Sequence, residues 1–396
     1  MNYQVTPGTL LEDFETLTGW SQSTGTTTIN TDPAFIKTGS GSFKMVATAN
    51  STCIITKTVS WDLPNNNYHG FWIYLIDPST TVSSLELYLS NDSSFTNYFS
   101  RSITNTNSKF VQGWNFFPIL KRDWTTNGAG DWTATMIRFR VRVSAAAALG
   151  TTAYYDSYYV NPYSRPKVLY TFDDVIDTCY TIAYPYMKTR GIKGTAYAAG
   201  GYIDTAGYMT TAQLKTMQAD GWLIGNHTYN HTNLTTLTIP EMITEVATQD
   251  RWLAGRGFTE GIPHFAYPNG GNSDDTATAM RQLGNKVTAR NYSIGTTIYQ
   301  PHVFGIENQH QLKAVGVFDT TTLAYAKASV DDTITHGGTA IFVFHKFVAG
   351  AAASGIEWNT QDFYDLTTYI LSKKSQIDFV TIKEWWDGLS KPRKLA

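Results

Sequence analysis

An apolar run, Val168-Leu169-Tyr170-Thr171-Phe172, ends abruptly in two adjacent carboxylates, Asp173 and Asp174. β-Branched and aromatic residues over that length predict a buried strand. Paired carboxylates at a strand end are costly to bury without a cation, donors or water. A second stretch, His227-Thr228-Tyr229-Asn230-His231, supplies what a cation would want. If the segment is helical, its i, i+4 histidines share one face, with Cβ atoms about 5–6 Å apart. One carboxylate and two imidazoles make a three-ligand set with a position left for water, as in catalytic zinc sites.

Charged residues make up only 16% of the chain against 42% hydrophobic, below the roughly 25% charged of an average globular protein. Thr, Ser, Asn and Gly supply the polarity instead. The 24 Tyr and 11 Trp suit neutral sugars, whose CH faces stack on rings, though β-rich proteins also use aromatics for packing. A net charge of −2 leaves no basic footprint for nucleic acid. No apolar run approaches the roughly 18 residues of a membrane span. Two cysteines, Cys53 and Cys179, exclude a disulfide framework and predict two buried free thiols. The opening Met1-Asn2-Tyr3-Gln4-Val5 has neither the basic region nor the apolar core of a signal peptide. An extracellular or virion-associated location is expected, reached by lysis, within a virion, or through a leader outside this sequence.

At 396 residues two domains are expected. Residues 1–162 read as all-β. Met136 to Val143 alternates, with Ile137, Phe139, Val141 and Val143 on one face and Arg138, Arg140 and Arg142 on the other. That pattern predicts a half-solvated antiparallel strand. Further strands are predicted at 71–76, 85–89 and 154–160, separated by polar clusters such as 62–67. The spacing predicts a jelly-roll-like β-sandwich, read as a glycan-binding or docking domain. Pro162 to Pro166 reads as a linker. Residues 166–390 then alternate strands and helices: a helix over 178–190, one from Thr210 or Thr211 to Asp220, one with Pro240 at its start, and a buried strand over 340–344. Such alternation predicts a (β/α) barrel, with chemistry at the C-terminal strand ends.

Thr171-Phe172-Asp173-Asp174 and His227-Thr228-Tyr229-Asn230-His231, with the phrase Gly221-Trp222-Leu223-Ile224-Gly225-Asn226 before the latter, resemble the first two motifs of the polysaccharide deacetylases. This is the NodB homology domain, carbohydrate esterase family 4, and the resemblance covers roughly Pro166 to Leu389. It implies a distorted barrel of the NodB type. It also implies that Asp174, His227 and His231 hold one divalent metal, Zn2+ by default, with Co2+, Ni2+ or Mn2+ able to take the site. Asp173 is then the general base. His345, in Phe342-Val343-Phe344-His345, matches the family's L-x-H motif with Val343 for Leu, and would protonate the leaving amine or alcohol.

The third motif departs from the family. Phe265-Ala266-Tyr267-Pro268-Asn269-Gly270 occupies the place of Arg-x-Pro-Tyr, with Ala266 for the arginine and Asn269 for the tyrosine. The Asn269 backbone N–H can still serve the oxyanion. Arg290, on a strand predicted over 287–290, could reach in where the arginine is missing. Tyr267, Pro268 and Arg290 are candidate substrate contacts. Val175 replaces a usual glycine, and the family's tryptophan-bearing fourth motif is not recognisable. Histidines 69, 264, 302, 310 and 336 are expected in structural or surface roles.

In the N-terminal region, 12–15, 39–42 and 155–157 resemble carbohydrate-binding jelly rolls, where acidic residues near the two ends hold a structural Ca2+. Glu15 and Asp156 are the candidates, with ordinary solvated carboxylates as the alternative. The resemblance thus implies an enzyme that removes N- or O-linked acetyl groups from an acetylated polysaccharide, a metal-activated water attacking the carbonyl. Two other readings remain: a non-catalytic carbohydrate-binding or adhesin protein that keeps the barrel, and another barrel metallohydrolase with the same ligands. Nothing in the pattern sets the oligomeric state.

Overall fold

The structure, a computed structural model, describes residues 9–63, 68–77, 81–104, 110, 112–160, 165–292, 309–336, 338–353 and 355–390. These residues fall into two compact units, 9–160 and 165–390.

The first unit is a sandwich of two six-stranded antiparallel sheets. One sheet runs Thr26–Asn30, Ser42–Ala47, Thr151–Val160, Tyr68–Leu75, Gly113–Leu120, with Thr9–Glu12 also on Thr151–Val160. The other runs Thr125–Asn127, Tyr98–Thr104, Val82–Ser90, Met136–Ala145, Thr52–Trp61, Trp20–Thr24. Inward residues of both, including Phe43, Phe71, Leu85, Leu87, Phe139, Val141 and Tyr155, form its core. The alternation over 136–143 holds from Phe139 onward. Before it the pairing shifts between Met136 and Arg138, a bulge that buries Met136 in place of Ile137.

Glu15 and Asp156 serve a turn here. Asp156, fully buried, accepts from the backbone N–H of Lys37 (2.7 Å) and Thr38 (3.1 Å) and from the Thr38 hydroxyl (2.9 Å). Glu15 accepts from the Ser40 N–H at 2.9 Å and its hydroxyl at 3.0 Å. Both carboxylates thus anchor the turn around residues 37–40. The predicted turn at 62–67 and the linker at 162–166 lie largely outside the described residues.

The second unit is built on eight parallel strands: β1 (Lys167–Phe172), β2 (Thr195–Ala198), β3 (Leu223–Asn226), β4 (His264–Ala266), β5 (Thr288–Arg290), β6 (Val315–Gly316), β7 (Thr339–Phe344) and β8 (Asp378–Phe379). Their order is β5-β4-β3-β2-β1-β7-β6, with β8 beside the start of β1. One parallel bridge, Arg290 to Leu312, ties the β5 edge to the segment entering β6. This is the distorted barrel expected. β1 and β7 pair in full register from Lys167–Thr339 to Phe172–Phe344. Of these residues only Lys167 is not buried, as in a parallel sheet covered on both faces.

Local rules hold in the helices. Thr210 caps Thr211–Ala219 through a capping box with Gln213, and Gly221 follows at φ +85°. Thr238 and Glu241 cap Ile239–Gly255, whose first turn contains Pro240. The helix predicted over 178–190 is interrupted early by a π-turn, Cys179–Ala183, and continues as an α-helix over Tyr184–Lys188. Cys53 and Cys179 are both buried and free. No helix among the described residues is long and apolar enough to cross a membrane.

Candidate metal centre

Because β1, β3, β4 and β7 are parallel, the segments leaving them emerge at one end of the sheet. β1 delivers Asp173 and Asp174, β3 delivers His227, and β7 delivers His345. Asp174 Oδ1 lies 2.9 Å from His231 Nε2 and 3.4 Å from His227 Nε2. Asp174, His227 and His231 each bring one ligand atom, all within 4.8 Å of one another. Asp174 Oδ1 is buried yet takes no aligned hydrogen bond from either ring. Three ligand atoms that converge without bonding one another fit a shared cation. His227 Nδ1 lies 2.8 Å from the Ala266 carbonyl, a contact that puts the proton on Nδ1 and leaves Nε2 a lone pair for a metal. Burial alone would raise the Asp174 pKa, but the close His227 and His231 rings hold it well below the usual carboxylate range.

The histidine pair is not helical. Residues 227–231 form a loop with Thr228 at φ +61° and His231 at φ +57°, which brings the two ring centres to 4.9 Å. Asn226 organises it: its Oδ1 accepts from the Thr228 N–H at 2.8 Å, while its Nδ2 donates to the Val246 carbonyl at 3.0 Å and Asp250 Oδ1 at 2.7 Å. Asp174, Val175 and Asn269 also have positive φ, so five of the ten described non-glycine residues of that kind gather here. Such strain persists where surroundings over-determine it.

Asp173 is fully buried. Its Oδ1 accepts from Arg290 Nη2, and its Oδ2 has no hydrogen bond and lies 3.8 Å from His227 Nε2. His345 is buried, with Nδ1 unpartnered. Burial is the largest influence on its pKa and lowers it; Asp173 and Asp174 pull the other way without prevailing. Stabilisation of its proton by these two carboxylates is therefore present but outweighed. The Asn269 backbone N–H takes part in no hydrogen bond among the described residues, and its residue is exposed.

The three candidate substrate contacts are all buried. Tyr267 is fully buried, and its hydroxyl donates to the His310 carbonyl at 2.7 Å. Pro268 is buried beside it, and Arg290 is fully buried against Asp173. Burial turns these three side chains away from a polymer, although Arg290 keeps Nε and Nη1 without a hydrogen-bond partner among the described residues. Sequence reasoning missed Tyr292 and Phe318, whose rings lie 6.0 and 5.3 Å from that of His345. Burial, then the Asp173 charge, pushes Tyr292 up to about 12. It also missed Tyr202, whose ring is 5.9 Å from His231 and 4.9 Å from Tyr208. Scattered aromatics in loops carry no periodic signal. Of the other histidines, 69, 264 and 310 are buried, while His302 lies outside the described residues.

Residues 161–288 match the family described as "Polysaccharide deacetylase". A Bacillus subtilis (strain 168) protein named "Putative polysaccharide deacetylase YxkH" is 32% identical over 134 residues, which cover 34% of this chain and 45% of that protein. The chain spans about half the length of the curated relatives it matches. A family 4 acetyl xylan esterase from Clostridium thermocellum, solved with a cobalt ion, aligns at TM-score 0.39 and 16% identity over 57% of this chain and 93% of its own. A family 11 carbohydrate-binding module from the same organism, solved with a mixed-linked tetrasaccharide, aligns at TM-score 0.30 and 12% identity over 38% of this chain and 93% of its own.

Proposed function

Starting from a chain that carries a polysaccharide deacetylase domain, we propose that it removes acetyl groups, N- or O-linked, from an acetylated polysaccharide in a metal-dependent hydrolysis. The observation that carries this is the convergence of Asp174, His227 and His231 beside the buried Asp173 and His345. Asp174 Oδ1 and the two Nε2 atoms would hold the cation. Zn2+ suits two imidazoles and a carboxylate, and Co2+, Ni2+ or Mn2+ could substitute. When bound, the ion supplies Lewis acidity and lowers the pKa of a coordinated water towards about 7.

The chain's own groups do the rest. Asp173 takes the proton of the attacking water on Oδ2, the oxygen that Arg290 leaves free. The Asn269 N–H donates to the oxyanion. His345 passes a proton to the departing amine or alcohol. Burial favours its neutral form, so that proton is taken up within the cycle. Tyr202 and Tyr208, near His231, and Tyr292, near His345, give sugar rings apolar faces to rest on. The sandwich unit, residues 1–162 in the sequence reading, holds the polymer, and the enzyme works outside the cell or on a virion.

The test is acetate release from a panel of N- and O-acetylated glycans by the wild type, Asp173→Asn and His345→Ala. Both variants should keep their metal and lose about 10²–10⁴-fold in rate. If neither variant is slower, these roles are wrong. If the wild type releases no acetate from any glycan, the barrel is a binding protein.

A further inference from the structure

Deacetylation leaves one part of the sandwich unexplained. Arg138, Arg140 and Arg142 project from one face of the Met136–Ala145 strand, successive side chains about 6.8 Å apart. Across the sheet, Arg138 sits between Ser90 and Thr58, Arg140 between Tyr88 and Thr56, and Arg142 between Glu86 and Ile54. Glu86 is the one carboxylate in these three rows, and it is fully engaged. It accepts from Arg142 at 3.3 Å, from the Ser84 hydroxyl at 2.9 Å, from the Ser144 hydroxyl at 3.4 Å and from the Tyr88 hydroxyl.

The other two arginines meet no carboxylate among the described residues. Arg140 Nε donates to the Thr56 hydroxyl at 3.0 Å, and its guanidinium carbon lies 3.8 Å from the Phe95 ring centre and 5.8 Å from that of Tyr88. Arg138 donates to the Thr58 hydroxyl. Tyr98 completes the patch, 5.9 Å from Tyr88 and 6.2 Å from Phe95 between ring centres. One hydroxyl and two rings thus hold the Arg140 fork in place and one hydroxyl anchors Arg138, with most of their donors unused among the described residues. A fork fixed before binding loses little freedom when a carboxylate arrives, and its geometry matches that group in two parallel bonds.

We propose that this face binds an anionic polysaccharide, with Arg138 and Arg140 taking its carboxylates and Tyr88, Tyr98 and Phe95 supporting its sugar rings. The proposal rests on the glycan-directed reading above and adds the class of polymer, one that bears uronic-acid carboxylates. Nucleic acid fits less well. The chain carries a net −2 charge, whereas nucleic-acid binders spread a basic footprint over the domain, and Glu86 would oppose a continuous phosphate track.

Affinity electrophoresis of the full chain tests it, in native gels containing polygalacturonate, alginate, or fully methyl-esterified polygalacturonate. The acidic polymers should retard the protein and the ester should not. Arg138→Gln/Arg140→Gln should weaken retardation about tenfold or more, since each lost charge-assisted pair is worth roughly that factor, and Arg140→Lys should recover part of it. Circular dichroism and thermal unfolding would show that the variants fold. Asp173→Asn should be retarded like the wild type, which separates polymer binding from acetate release. The proposal is overturned by equal retardation in the ester, by an unchanged double variant, by no retardation in either acid, or by a single-stranded oligonucleotide that competes equally well. Retardation in a protein that deacetylates nothing would sink the enzyme reading alone.

Discussion

Arg290 donates to Asp173 from the far side of three intervening strands, and both side chains are fully buried. Arg290 is the Cα partner of Ala266 across the β4–β5 pair. Ala266 is where the family places its arginine, so its short side chain leaves room for a guanidinium from the next strand. The Tyr197 ring, 4.8 Å from that guanidinium, covers it. A positive group is thus restored beside the proposed base by a residue outside the motif.

Arg290→Met should leave the Asp173 charge buried and alone, which costs about 3–5 kcal/mol when one member of a buried pair is removed. Metal content should not change, because neither residue is a proposed ligand. Asp173→Asn in the same chain should recover most of the lost stability in urea unfolding. Loss of metal on Arg290→Met, or no recovery in the double variant, would show that the pair is not coupled in this way.

Val175 sits at φ +52° where glycine is usual in the family, and is fully buried. The left-handed conformation costs a residue with a Cβ roughly 1–2 kcal/mol. An ordinary buried Val→Gly loses about 1.5–3 kcal/mol of transfer energy and about 0.5–1 more in chain entropy. Val175→Gly should therefore cost only about half the usual amount. A full loss in equilibrium unfolding would mean that the strain is absent.

How far the sequence could be read depended on what each residue was doing. The convergence of Asp174, His227 and His231 was legible because such side chains at strand ends are gathered by parallel order. The apolar runs of β1 and β7 were legible because a doubly covered strand has no polar face. The bulge between Met136 and Arg138 was not, since a register shift leaves no compositional trace. Tyr267 and Pro268 were assigned to substrate because motif position says nothing of which way a side chain turns. The histidine loop read as a possible helix because i, i+4 spacing is shared by any backbone that coils back, here through left-handed Thr228 and His231.

His69 and His264 make each unit sensitive to acid. Burial lowers both to about 3, and they contact the Tyr158 hydroxyl at 2.5 Å and the Thr288 hydroxyl at 2.9 Å. In the unfolded chain each titrates near 6.5. Between those values the unfolded state takes up a proton that the folded state refuses, so stability is full above about pH 6.5 and falls as pH drops. Each should remove about 2 kcal/mol by pH 5. His69→Gln should flatten that slope by about one proton in the sandwich unit; an unchanged slope would contradict the burial effect.

Lys286 and Asp250 form a buried pair at 2.5 Å, and Asp250 also receives Asn226, the residue that folds the histidine loop. Lys286→Met should cost about 3–5 kcal/mol. Through Asn226 it should also weaken metal binding about tenfold or more, as groups that orient ligands do. Isothermal titration with Zn2+ would reveal this, and an affinity equal to wild type would limit the pair to a structural role.

Metal binding by Asp174, His227 and His231 is tested most directly by the bound divalent metal in purified wild type and His231→Ala, paired with acetate release before and after chelation. The wild type should hold one transition-metal ion per chain. His231→Ala should hold far less, because two ligands do not complete the set. Chelation should stop acetate release, and returning metal should restore it. Equal metal in the two proteins, or acetate release that ignores chelation, would contradict the site.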